Sequence, residues 1–161
     1  AHADPRRALI IRYGDGIVVA NCTFRDYLAA GSLAAILTGV FALGITITNC
    51  VIDNISTSNG AKFSYGVSLN SPGITVNNIR VTDVDNTGTA ANASGIRIVN
   101  DNITISNSLA QDGSGKGFEI GAAADNAQIN GCVARDNGAD TGIDNANGDN
   151  YSDAGTGTIV G

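Results

Sequence analysis

A seven-residue phrase, Gly44-Ile-Thr-Ile-Thr-Asn-Cys50, constrains this chain most, because it keeps returning. It comes back as Gly73-Ile-Thr-Val-Asn-Asn-Ile79 and as Asn102-Ile-Thr-Ile-Ser-Asn-Ser108. An earlier copy is Gly16-Ile-Val-Val-Ala-Asn-Cys22, and a more divergent one is Asn126-Ala-Gln-Ile-Asn-Gly-Cys132. The copies start at 16, 44, 73, 102 and 126, so the steps are 28, 29, 29 and 24. A near-fixed period of this size marks a repeat architecture, in which each unit buries its apolar face only by stacking on the next.

Each repeat reads as three short strands. The first is visible as Gly66-Val-Ser-Leu69, Gly95-Ile-Arg-Ile98 and Gly117-Phe-Glu-Ile120. The second is the repeated phrase itself, and the third follows at once, as in Cys50-Val-Ile52 and Ile79-Arg-Val81. All alternate with period two, the mark of a strand with one buried face. Ile45, Ile47, Ile74, Val76, Ile103 and Ile105 are expected inward, with Thr46, Thr75 and Thr104 outward. Asn21, Asn49, Asn78 and Asn107 end four successive second strands. Asn tolerates left-handed backbone angles, so it suits a sharp bend, and stacked Asn side chains can bond along the stack. A second polar column, Asp26, Asn54, Asp83, Asp112 and Asp136, is expected to close the third strands at solvated turns.

Strands of equal length with identical inward positions and no intervening helices predict an all-β fold. The chain winds as a parallel solenoid of about six coils of three short strands, coils spaced ~4.8 Å apart. Residues 1–7 read as an N-terminal arm and 8–161 as the solenoid. Two regions break the pattern. Residues 27–43 are apolar and Ala-rich and are expected as an insertion: a short helix, a bulging loop, or the first strand of the second coil with added residues. Residues 137–161 are polar and predict a terminal coil or long loop. The final Gly157-Thr-Ile-Val-Gly161 looks like a fresh strand, as expected of an edge covered by another chain or of a fragment of a longer protein.

Composition narrows the function classes. A net charge of -6 argues against nucleic acid, whose binding needs Lys and Arg on phosphates. No apolar run approaches the ~18 residues of a membrane span, so no membrane insertion is expected. The three cysteines, Cys22, Cys50 and Cys132, recur at one repeat position and read as core packing. The single histidine, His2, lies in the arm, which leaves no His-centred triad and no His-ligated metal. The pattern calls for no cofactor, calcium aside. Asp140, Asp144, Asp149 and Asp153 are candidate calcium ligands, with a plain Asp/Asn loop as the alternative, and Asp83-x-Asp85-x-Thr87-Gly88 only half resembles a calcium loop.

The Gly-Ile-Thr-Ile-x-Asn-Cys phrase, with Asn stacked at the bend, resembles the right-handed parallel β-helix of the pectate-lyase-like superfamily over residues 8–136. That resemblance implies carbohydrate as the partner class. It spans polysaccharide lyases, glycoside hydrolases, uronate epimerases, phage tailspikes and adhesins. Epimerase activity is not carried over, because Tyr13-Gly-Asp-Gly-Ile17 lacks the family's histidine. Enzymes of the superfamily commonly act on the outward face near the first strand.

On that face Ser68, Arg97, Glu119 and Asp144 are expected on successive coils and form the candidate carbohydrate-binding set. Arg97, Glu119 and Asp144 are the candidate catalytic residues: Arg would neutralise a uronate carboxylate and two carboxylates would divide acid and base duties. The plainer alternative is a cross-strand ion pair on a solvated face. The leading expectation is a non-catalytic β-helix module of a virion spike, fibre, decoration protein or adhesin, outside a cell or on a virion surface. It would face polysaccharide and could assemble as a homo-oligomer such as a trimer. A lyase or hydrolase of acidic polysaccharide is the alternative, and an ice- or mineral-surface binder, from the Thr array, a third.

Overall fold

A computed structural model of the chain describes residues 7–121, 124–138, 151–153 and 159–160. The first coil holds β1 (Arg7–Asp15), β2 (Val18–Ala20) and β3 (Thr23–Ala29). The second holds β4 (Leu33–Leu43), β5 (Thr46–Thr48) and β6 (Val51–Thr57). The third holds β7 (Ser64–Leu69), β8 (Thr75–Asn77) and β9 (Arg80–Asn86). After one 3-10 turn at Ala90–Asn92, the fourth holds β10 (Ala93–Ile98), β11 (Thr104–Ser106) and β12 (Leu109–Gln111). The fifth holds β13 (Lys116–Ile120), β14 (Gln128–Asn130) and β15 (Val133–Arg135). β16 (Tyr151–Asp153) and β17 (Ile159–Val160) add to the stack beyond it.

Strands at equivalent places in successive coils pair in parallel, giving three sheets of six, six and five strands. The second-strand register, Val18↔Thr46↔Thr75↔Thr104↔Gln128, carries the sequence period directly into space. Its inward side stacks Val19, Ile47, Val76, Ile105 and Ile129 into one buried column. Like residues above like keep every inward slot the same size from coil to coil, which is why Ile recurs there.

The bends are made by residues that accept positive φ. Asn21, Asn49, Asn78 and Asn107 close the second strands at φ 50–56°. L residues other than Asn and Asp would lose roughly 1–2 kcal/mol in that conformation. The Asn78 amide donates to Asn49 Oδ1 at 2.8 Å, and Asn107 donates to Asn77 Oδ1 at 3.2 Å, so the bends are also tied along the rod. The other column, Asp26, Asn54, Asp83, Asp112 and Asp136, is left-handed as well, at φ 53–60°. It does not always end the strand, as the sequence had suggested. In the first three coils β3, β6 and β9 run on past it, and only β12 and β15 stop before it.

Asp83 sits in that column under electrostatic pressure. Desolvation, followed by the Asp53, Asp112 and Asp85 carboxylates, pushes its pKa up, against a smaller lowering by Arg80. A carboxyl raised on folding binds more protons folded than unfolded, so it costs stability as pH climbs through the acid range. Asp83→Asn, the residue present at the equivalent Asn54, is therefore expected to gain stability at about pH 7 and none at about pH 3. Urea unfolding of both proteins at the two pH values checks this.

The apolar run 27–43 is neither a helix nor a bulging loop but supplies the first strand of the second coil, with one added residue where the register passes from Ile11↔Thr38 to Tyr13↔Phe41. It is the end of β3 and all of β4, which pairs with β1 and β7. The step Arg7↔Ala34 is 27 residues (34 − 7), shorter than the 31 of Ala34↔Tyr65 (65 − 34) and the 29 of Ser64↔Ala93 (93 − 64). Added length lies both in β4, where Leu37 to Thr46 spans 9 residues (46 − 37) against 7 from Ser68 to Thr75 (75 − 68), and in the turn at 58–63. Ala34, Ala35 and Ile36 are buried between neighbouring strands, and that burial overrides the helical preference of alanine. β1 and β4 have 9 and 11 residues, against 6 for β7, and so extend as a two-stranded tab. β7 stops where the backbone turns to a side chain: the N–H groups of Asn70 and Ser71 donate to Thr38 Oγ1 at 2.8 and 3.2 Å. On the tab Tyr13 and Phe41 lie exposed with near-parallel rings, centroids 5.8 Å apart. Among the described residues no helix is long and apolar enough to cross a membrane.

Candidate functional site

The first strands of the third, fourth and fifth coils carry a glycine in their middle: Gly66, Gly95 and Gly117. Val67, Ile96 and Phe118 follow it into the core, and Leu69, Ile98 and Ile120 point the same way. The residues before and two after the glycine form two other columns. One is Ala34, Tyr65, Ser94 and Lys116; the other is Leu37, Ser68, Arg97 and Glu119. Parallel pairing thus brings side chains separated by 22 residues (119 − 97) to 31 residues (65 − 34) within reach of one another on one face.

Arg97 and Glu119 are direct neighbours, with Arg97 Nε 3.3 Å from Glu119 Oε2. The Ser94 hydroxyl donates to that same oxygen at 2.6 Å, and Lys116 Nζ lies 3.6 Å from Oε1. Both carboxylate oxygens are therefore engaged. Arg97 Nε is buried and, despite the ion pair, makes no hydrogen bond of good geometry. The Arg97 guanidinium carbon lies 5.1 Å from the centroid of the Tyr65 ring, a cation–π contact. Phe63 stacks on the other side of this cluster, 5.8 Å from Tyr65 between centroids. Burial, with a smaller contribution from Glu119, pushes the Tyr65 phenol up to about 12 even though Arg97 draws it down. The phenol stays protonated at any physiological pH and serves as donor and acceptor, not as a base.

Beside this cluster lies a groove of about 170 Å³, lined by Ser32, Leu37, Tyr65, Ser68, Asn70 and Arg97 among others. Ser68 forms part of its floor, is only 2% exposed, and donates to Asn70 Oδ1 at 3.3 Å. Its lining mixes apolar side chains such as Leu37 with the polar groups of Arg97 and Asn70.

Of the residues singled out from sequence, Ser68, Arg97 and Glu119 share this face in adjacent coils. Asp144 does not continue the column. Glu119 pairs with Ser152, so the next position belongs to β16, and Asp144 lies outside the described residues. The coil after Phe118 is longer than its predecessors, 33 residues to Tyr151 (151 − 118), and a constant-period count fell short of the next strand. Asp140 and Asp149 also lie outside the described residues, and Asp153 ends β16. Among the described residues no group of three or more His, Cys, Asp or Glu side chains is placed to hold a metal. Tyr65, Ser94 and Lys116 were not anticipated. Their signal was the position just before the recurrent glycine, which is Tyr, Ser and Lys in successive coils.

The cysteines are free thiols, with Cys50 and Cys132 buried and Cys22 half-buried. Burial raises both Cys50 and Cys132 above the ordinary thiol range, so neither is an activated nucleophile.

A family model described as right handed beta helix region matches residues 3–159. No curated protein and no solved structure matches the chain.

Proposed function

The chain belongs to the right-handed β-helix family, and on that premise we propose that it is a non-catalytic β-helix module facing cell-surface polysaccharide. Its setting in this reading is a virion spike, fibre or decoration protein, or an extracellular adhesin. The observation that carries the reading is the state of Glu119, held by Arg97, Lys116 and Ser94 together. A general acid must be free to reach the glycosidic oxygen, and hydrolysis asks for a second carboxyl roughly 5–9.5 Å away. In this column Ser152 stands where that second carboxyl was expected. Tyr65, kept protonated, does not supply a base in its place.

What the face offers is recognition. Tyr65 and Leu37 bring apolar surface to the lining of the groove, and Arg97 and Asn70 bring polar atoms to the same lining. Sugars need that combination, an apolar ring face bordered by hydroxyl partners, and the Arg97 cation adds a preference for an acidic chain. Binding to a panel of acidic and neutral polysaccharides tests the reading. Arg97→Ala and Tyr65→Ala are each expected to weaken the best ligand about tenfold or more. No new chain ends should appear on prolonged incubation. Turnover that is lost in Glu119→Gln would sink the non-catalytic reading in favour of a polysaccharide lyase or hydrolase.

A further inference from the structure

Two of the three cysteines sit side by side on neighbouring coils. Cys22 and Cys50 are 28 residues apart (50 − 22), the offset that pairs Ala20 with Thr48 and Thr23 with Val51. They occupy the same place on the first and second coils, where Val51 N–H donates to Cys22 O at 2.9 Å. Their side chains run alike: Cys22 Sγ donates to Ala20 O at 3.3 Å and Cys50 Sγ to Thr48 O at 3.2 Å. Cys50 Sγ also reaches Val19 O of the first coil, at 3.8 Å, so its sulfur leans toward the neighbouring coil. Neighbouring strands lie ~4.8 Å apart, inside the ~4.4–6.8 Å between Cα atoms that a disulfide bridges. Cys132 is differently placed. Its equivalent on the adjacent coil is Ser108, whose carbonyl accepts from Val133 N–H at 2.8 Å.

We propose that Cys22 and Cys50 form a dithiol that closes to a disulfide under oxidising conditions and staples the first coil to the second. The oxidant is a low-molecular-weight disulfide. The Cys22 thiolate attacks one of its sulfurs and expels the first small thiolate, leaving a mixed disulfide. Cys50 then loses its proton and attacks the Cys22 sulfur, and the second small thiolate leaves. Two protein thiols and one external disulfide become one protein disulfide and two external thiols, the two protons passing to the leaving groups. Cys22 reacts first because it is half-buried, whereas Cys50 is 1% exposed.

The place of the pair gives the bond its use. Among the described residues β1, β2 and β3 are each the end strand of their sheet, so the first coil pairs there with the second coil alone. End repeats of a solenoid open before central ones. A covalent link from the first coil to the second acts where opening starts, and it forms in an oxidising medium and is undone by excess thiol.

The test uses the whole folded chain treated with oxidised glutathione, then intact mass, peptide mapping after alkylation, and thermal melting. The expected result is a loss of two hydrogen masses, a linked Cys22–Cys50 peptide pair and alkylation at Cys132 alone. The melting midpoint should rise by about 5–10 °C over the reduced protein. Cys132→Ser should keep the mass loss, the linked peptide pair and the rise in midpoint, and Cys22→Ser or Cys50→Ser should abolish them. Serine is a fair substitute, since Ser108 occupies the same repeat position and its hydroxyl donates to Ser106 O at 2.8 Å, as the thiols do. A persistent glutathione adduct on Cys22 without the internal link overturns the proposal. So does a link that uses Cys132, or a link that leaves the midpoint unmoved.

Discussion

Gly66→Ala is expected to destabilise the fold by about 3 kcal/mol or more, the upper end of what overpacking a core costs. A Cβ at Gly66 would stand 2.4 Å from Val81 Cγ1 and 2.5 Å from the Gly95 carbonyl oxygen. Real contacts of that kind do not occur, so one partner must move. Val81 is buried against its own column, and the Gly95 carbonyl belongs to a strand pinned on both sides by β7 and β13. The same holds one coil on, where a Cβ at Gly95 would meet Gly117 O at 2.7 Å and Ala110 Cβ at 2.9 Å. These glycines let the first strand press against the third in the third and fourth coils. Gly121→Ala, whose nearest backbone atom would be 3.1 Å away, serves as the control and should cost clearly less in a denaturant titration. Equal losses at the two sites would show that the close approach at Gly66 is not what matters.

Phe118→Ala should lose about 3–5 kcal/mol, again by denaturant unfolding. Phe118 is among the largest fully buried side chains, in the inward column that holds Ile36, Val67 and Ile96 in the preceding coils. Truncation leaves a void in a rod whose neighbouring coils are fixed by backbone ladders, so little collapse relieves it. Phe118→Ile, the residue its neighbours use, should cost less than half as much. Both variants leave the outward Arg97–Glu119 pair in place, so polysaccharide binding should change little in protein that remains folded.

The second strand was legible because three facts agree there: Ile inward, Thr outward, and Asn at a bend that needs positive φ. Residues 27–43 were not, because Ala-rich sequence suits a helix or a buried strand equally, and only contact with β1 and β7 decides between them. Arg97 and Glu119 could be placed together because each stands two residues after the glycine of a matching phrase, even though their step is only 22 residues (119 − 97). Asp144 could not, since the register beyond Glu119 depends on a longer coil that the repeat does not encode. Tyr65 and Lys116 escaped for a different reason. The sequence shows a position that varies, whereas the cation–π contact and the ion pair to Glu119 depend on how coils of unequal length align. What was hidden was in each case a distance between coils, which a period fixes only where it is constant.

Because every sheet is built by stacking coil on coil, the backbone hydrogen bonds between coils all point along the rod. A tensile load applied end to end therefore meets them a coil at a time, as in opening a zip, and never all together in shear. Each coil that yields surrenders ~4.8 Å of rod and releases up to ~100 Å of slack chain, for the 29 residues that separate Ser64 from Ala93. Under tension such a rod lengthens in long steps before it parts, and the force it bears is set by its weakest coil, not by their number.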